Sequence, residues 1–202
     1  MENEKQINQY MEEIKKICDD INREDIDKAI ELLFDAWKNK NKVFFCGNGG
    51  SAGTASHFMC DLFKVTIVEG KDRFKAHSLV DNVSLMTALI NDEGWDKLYS
   101  EQLINLYEPG DVLICLSVHG GSGKDKAGAW SQNLLKAMDY VNKNGGKTIG
   151  FAGFDGGAMK ELADVCVVVP FDATPHVEAF HVVLQHLIAF RLKEKIAQHN
   201  DK

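Results

Sequence analysis

The chain has 202 residues, of which 45% are hydrophobic and 26% charged, and its formal net charge is −7. That length suits one α/β domain with its own core, and the acidic balance argues against a non-specific nucleic-acid binder, which needs a basic face. No apolar run approaches the ~20 residues of a membrane span, and Met1-Glu2-Asn3-Glu4-Lys5 is too polar for a signal peptide. A cytoplasmic protein with no nucleic-acid or membrane partner is expected.

Residues 6–21 carry Ile7, Met11, Ile14, Ile17, Cys18 and Ile21 at spacings of three and four, which predicts an amphipathic helix. Asp25 to Lys38 repeats the pattern. These helices either cover a sheet or meet another subunit. An apolar run from Lys42 to Cys46 reads as a strand and empties into Gly47-Asn48-Gly49-Gly50-Ser51, after which a helix begins. Next come a short strand at Ala76–Val80, a helix over Asn82–Ile90, a turn at Asn91–Gly94 and a helix from Asp96 to Tyr107, stopped by Pro109. Val112–Ser117 is a nearly all-apolar strand, as expected inside a parallel sheet, and it leads into a second serine- and glycine-bearing loop, Ser117-Val118-His119-Gly120-Gly121-Ser122-Gly123. A helix (131–142), a strand (147–152), a glycine turn and short helix (155–162), a strand (165–169) and a long helix from Pro175 to Lys195 complete the chain. This alternation predicts a doubly wound parallel sheet, whose ligands sit beyond the carboxyl ends of the strands, where both glycine loops fall. The five cysteines (Cys18, Cys46, Cys60, Cys115 and Cys166) are scattered without a CxxC pair, so buried free thiols are expected rather than disulfides.

Glycines let a backbone approach a ligand, and the free N–H groups and dipole of a helix start favour a phosphate. The first loop also satisfies G-x-G-x-x-A, but no carboxylate ends the second strand about 20 residues on, as a dinucleotide site requires. No Gly-Lys-Ser/Thr closes it as a P-loop. A plain turn is the alternative for a single glycine cluster, whereas two such loops, each following a strand and holding serine, favour an anion site. His57 and Asp61 lie four apart, on one face of the helix after the first loop. In the last helix Glu178, His181, Gln185 and His186 interrupt an apolar run. At 100° per residue Glu178 and His186 differ by about 80° and can share one side. They are either satisfied in the core or line a site.

Cys46-Gly47-Asn48-Gly49-Gly50-Ser51, His57-Phe58, Asp61-Leu62, Asn91-Asp92, Gly110-Asp111-Val112-Leu113-Ile114, Ser117 with Ser122, Gly156-Gly157 and the Glu178–His186 helix together resemble the phosphoheptose isomerases. These are sugar-isomerase (SIS) domain enzymes that interconvert sedoheptulose 7-phosphate and glycero-manno-heptose 7-phosphate. The resemblance implies a three-layer αβα sandwich around a five-stranded parallel doubly wound sheet in flavodoxin-like order. It would be a single SIS domain over 1–202, with a helical extension at 1–40 and the sheet core and last helix at 41–196. It also implies a homotetramer with shared sites, a phosphorylated sugar as substrate, and zinc or another divalent metal.

Carried over by position, Asn48, Gly49, Gly50, Ser51, Asp81, Ser117, His119 and Ser122 would bind substrate and phosphate. His57, Asp61, Glu178 and His186 would hold the metal, with Asp61, His186 and Glu178 catalytic. Asp61 stands where the family has glutamate, and Glu178 where it usually has glutamine, so tighter metal binding is expected. Val118 and His119 replace the usual hydroxyl residues. Gly123–Trp130 looks like an insertion, in which Lys124, Lys126 and Trp130 either close over a ligand or form a solvated loop. Two alternatives stay open: a non-catalytic SIS adaptor of the kind that binds the replication initiator DnaA, and an isomerase of another phosphosugar.

Overall fold

The computed structural model describes residues 2–121 and 131–200. Five strands, β1 (Lys42–Gly47), β2 (Lys75–Ser78), β3 (Val112–Leu116), β4 (Lys147–Gly153) and β5 (Val165–Val169), form one all-parallel sheet in the order β2-β1-β3-β4-β5. This is the flavodoxin-like order expected from the sequence. Among the described residues the helices are α1 (Glu2–Asp20), α2 (Arg23–Lys38), α3 (Gly50–Lys64), α4 (Val83–Asp92), α5 (Leu98–Leu106), α6 (Gln132–Lys143), α7 (Met159–Leu162) and α8 (Thr174–Gln198).

Side chains alternate across the pleat, and this sorts the helices into two layers. Val43, Phe45, Ile114, Leu116, Ile149, Phe151, Val167 and Val169 face one way, into a core shared with α2, α3 and α8. Phe44, Cys46, Leu113 and Cys115 face the other way, toward α5, α6 and Met159 of α7. Phe58 of α3 wedges between Phe45 and Phe151, with ring centroids 5.3 and 5.7 Å away. Burying such a ring contributes about 1.5–3 kcal/mol, and it fixes which face of α3 points outward.

Several boundaries differ from the sequence reading. The first helix starts at Glu2 and buries only Ile17, leaving Ile7 and Met11 exposed, whereas α2 packs on β5 and α8. Asn91 and Asp92 belong to the last turn of α4. The Asp96–Tyr107 segment opens as a 3-10 turn, Trp95–Lys97, before α5. Within the glycine turn and short helix expected over 155–162, the helix is confined to α7 because Gly156 and Gly157 adopt φ of 88° and 53°. A Cβ on Gly157 would stand 2.2 Å from the His119 carbonyl oxygen, so this turn is locked against the second glycine loop.

Candidate active site

β1 and β3 are neighbours, yet the chain leaves them on opposite faces of the sheet, through α3 and toward α6. This is the topological switch point, where ligands of open α/β sheets bind, and both glycine loops lie on it. Gly49 is the N-cap of α3, with φ 58° and ψ −124°, a backbone conformation open to glycine. Ser51 is buried in the first turn of α3, where backbone N–H groups lack intrahelical acceptors. In the second loop the buried Ser117 hydroxyl accepts from Gly121 N at 3.0 Å. A cavity of about 150 Å³ opens between the loops, lined by Asn48, Ser51, Ser117, His119, Gly121 and Glu178. The His119 ring packs on Phe154, centroids 4.3 Å apart. Ser122 and the 123–130 insertion lie outside the described residues. Asp81 is exposed just beyond the carboxyl end of β2 and is not among the residues lining the cavity.

Asn48 is held by residues that sequence reasoning missed. It exchanges amide hydrogen bonds with the fully buried Asn133, donating at 3.0 Å and accepting at 2.9 Å. It also donates to the Ser131 hydroxyl at 3.2 Å and accepts from the Tyr99 hydroxyl at 3.3 Å. Tyr99 further donates to the Gly47 carbonyl at 2.5 Å. Burial, with Cys46 and Cys115 nearby, pushes the Tyr99 phenol well above its ordinary pKa, so it remains a donor. Asn133 had one sequence signal: it shares the buried stripe of α6 with Leu134, Ala137, Met138 and Val141, where an amide needs a partner.

His57, Asp61 and His186 form the second half of the site. Their ligand atoms lie within 4.8 Å of one another. Oδ2 of the buried Asp61 stands 2.9 Å from His186 Nδ1, and Oδ1 stands 3.8 Å from His57 Nε2. The imidazoles meet edge to face at 4.9 Å, and both side chains are nearly half exposed, at 48% and 44%. Gln185, also missed as a site residue, donates to Asp61 Oδ2 at 3.3 Å. Donors about 2.1 Å from a tetrahedral zinc stand roughly 3.4 Å apart, and the separations of 2.9 and 3.8 Å bracket that value. Two imidazoles and one carboxylate, with a side open to solvent, match the donor set of a catalytic zinc site, and these residues fit a divalent ion.

Glu178 does not join this group. It shares a side of α8 with His186, but eight residues of helix separate them by about 12 Å along the axis. Its carboxylate instead packs on Gly50, where a Cβ would stand 2.6 Å from Oε1, and it lines the cavity. Of the four expected metal residues, the structure brings His57, Asp61 and His186 together and holds Glu178 apart from them.

Known proteins match this architecture. The SIS domain family model matches residues 9–153. The lincomycin biosynthesis protein LmbN of Streptomyces lincolnensis is 43% identical over 162 residues, which cover 78% of this chain and 58% of that protein. The phosphoheptose isomerase of Helicobacter pylori strain P12 is 34% identical over 191 residues, 95% of this chain and 94% of the relative. The structure of phosphoheptose isomerase GmhA from Neisseria gonorrhoeae superposes with a TM-score of 0.83 at 27% identity, covering 96% of this chain and 100% of that one. With these matches over nearly its whole length, the chain belongs to the SIS-domain family of phosphoheptose isomerases and is an isomerase.

Proposed function

We propose that the chain is an aldose–ketose isomerase of phosphosugars, of the type that interconverts sedoheptulose 7-phosphate and glycero-manno-heptose 7-phosphate. The observation that carries this reading is the assembly of His57, Asp61 and His186 on the two helices, α3 and α8, that also supply Ser51 and Glu178 to the serine-lined switch-point cavity. The phosphate rests on Ser51, Ser117 and the first-turn amides of α3. Asn48, its amide fully engaged by Ser131, Asn133 and Tyr99, holds the first loop against the cavity, and Asp81 and the Gly49-Gly50 backbone orient the sugar hydroxyls. Ser51 and His57 are about 9 Å apart along α3, a separation that suits a long open-chain sugar phosphate better than a triose.

Isomerisation moves a proton between C1 and C2 through an enediol, which requires a base and an acid. Oδ1 of Asp61 takes the proton from carbon. His186, beside Oδ2, moves protons at the sugar oxygens, and Glu178 accepts from a hydroxyl in the cavity. Zinc held by His57, Asp61 and His186 would supply Lewis acidity toward the substrate carbonyl when bound. Five free thiols support a reducing, cytoplasmic setting, and no described helix is long and apolar enough to cross a membrane. Exposed Phe63, Val183, Leu187 and Phe190 on α3 and α8, beside half-exposed His57 and His186, support a homotetramer whose subunits share sites. A second reading, turnover of a different phosphosugar, is favoured by His119, whose ring lines the cradle where hydroxyl residues were expected.

The test is incubation with a panel of ketose phosphates in deuterated water. Deuterium should enter C1 or C2 of sedoheptulose 7-phosphate. Incorporation only into another sugar selects the second reading, and none at all defeats the isomerase mechanism.

A further inference from the structure

Gln185 precedes His186 on α8 and is fully buried, among Leu184, Ile188 and Ala189. Its Nε2 donates to Asp61 Oδ2 at 3.3 Å, while its buried Oε1 has no partner among the described residues. A core amide with an unmatched carbonyl is less favourable than leucine at the same place. Packing alone gives no reason for an amide there, and its one hydrogen bond does.

That bond makes the Asp61 carboxylate asymmetric. Oδ2 accepts from Gln185 Nε2 at 3.3 Å and lies 2.9 Å from the ring nitrogen Nδ1 of His186. Oδ1 faces His57 Nε2 at 3.8 Å, beyond hydrogen-bond reach. A carboxylate on a one-carbon arm turns freely about Cβ–Cγ unless one oxygen is anchored, and here the buried Gln185 amide anchors Oδ2. We propose that Gln185 is a positioning residue that pins Oδ2 so that Oδ1 is presented to the substrate proton. This rests on the reading of Asp61 as the base.

Gln185→Leu and Gln185→Met remove the donor while keeping an apolar side chain of similar size. Both should lower kcat about tenfold with KM changed by less than about twofold, and both should keep or raise Tm because the orphaned carbonyl is gone. A kcat within about twofold of the parent overturns the inference, as does a loss of kcat accompanied in both variants by a falling Tm. Asp61→Asn, assayed alongside, separates the two claims. An inactive Asp61→Asn with normal Gln185 variants rejects only the positioning role, whereas an active Asp61→Asn rejects the base and the positioning role together.

Discussion

Asn48 and Asn133, 85 residues apart in the chain, face each other with paired amide hydrogen bonds that join the first glycine loop to the start of α6. The bond is what turns a loop asparagine into a fixed contact. Asn133→Ala leaves Asn48 with two of its bonds broken in a largely buried place. A destabilisation of about 1–3 kcal/mol is expected, which corresponds to about 2–12 °C in Tm. The ratio kcat/KM should fall about 10- to 100-fold as Asn48 drifts. Unchanged kinetics would mean that Asn48 does not need to be held.

Two glycines of the site should respond differently to alanine. At Gly50 the new Cβ meets the Glu178 carboxylate, the end of a side chain that can swing away. At Gly120 it would stand 1.9 Å from the Gly156 carbonyl oxygen, with φ already at 61°. Gly50→Ala should fold with Tm within about 3 °C of the parent and lose activity, because Glu178 is displaced from the cavity. Gly120→Ala should lose about 3 kcal/mol or more, or fail to fold. Thermal melts of both decide the matter, and equal Tm values would contradict the interlocked turns.

The metal set is tested by comparing carboxylates. Asp61→Asn or His186→Ala should weaken zinc binding by about 100-fold or more, whereas Glu178→Ala, which removes any ligand atom, should leave the zinc Kd within about threefold. Calorimetric titration of the EDTA-treated proteins reads this directly. A large loss with Glu178→Ala would restore it as the fourth ligand, and failure of the parent to bind zinc would remove the metal from the site.

The doubly wound parallel sheet was legible because apolar runs and amphipathic segments alternate so regularly, whereas its five-strand order came from the family resemblance and not from the alternation. β5 begins and ends where the sequence placed it, since Val165–Val169 is bounded by charge before and proline after. The site was legible in part. Helical periodicity gives the angle between Glu178 and His186 but not what stands opposite each at its own height, and here those neighbours are Gly50 and Asp61. Asn133 and Gln185 were visible only as polar residues on buried stripes. Their partners come from distant elements that packing alone brings near.

Thiol reactivity should divide the cysteines. Cys46 and Cys115 are fully buried with sulfurs 3.2 Å apart, and burial, then Cys46 beside it, pushes the Cys115 thiol well up. Burial raises Cys166 to about 12. Cys18 and Cys60 are exposed. Because the thiolate is the reacting form, iodoacetamide at about pH 8 should modify Cys18 and Cys60 in the native protein and all five after denaturation. Mass spectrometry of timed samples reads the order. Early modification of Cys115 would contradict the packed strands, and native protection of Cys60 would point to a subunit covering α3.

His181 should make the fold acid-sensitive. It is 1% exposed, its Nε2 lies 3.2 Å from the Ala152 carbonyl, and its Nδ1 has no partner among the described residues. Burial lowers its pKa to about 4, from an ordinary 6.5. The unfolded chain therefore takes up this proton first as pH falls. Above pH 6.5 the group is neutral in both states and contributes no pH dependence. Between about 6.5 and 4 it subtracts progressively from stability, by about 2 kcal/mol at pH 5, and the loss levels off below 4. Paired carboxylates such as Asp164, held below the usual range despite burial by Lys147 and Thr148, add their own losses at lower pH. His181→Leu removes only the histidine's share. Its Tm should fall less than the parent's between pH 7 and pH 5, by about 4–8 °C. Parallel Tm curves for the two proteins across that interval would show that His181 is already able to protonate in the folded state.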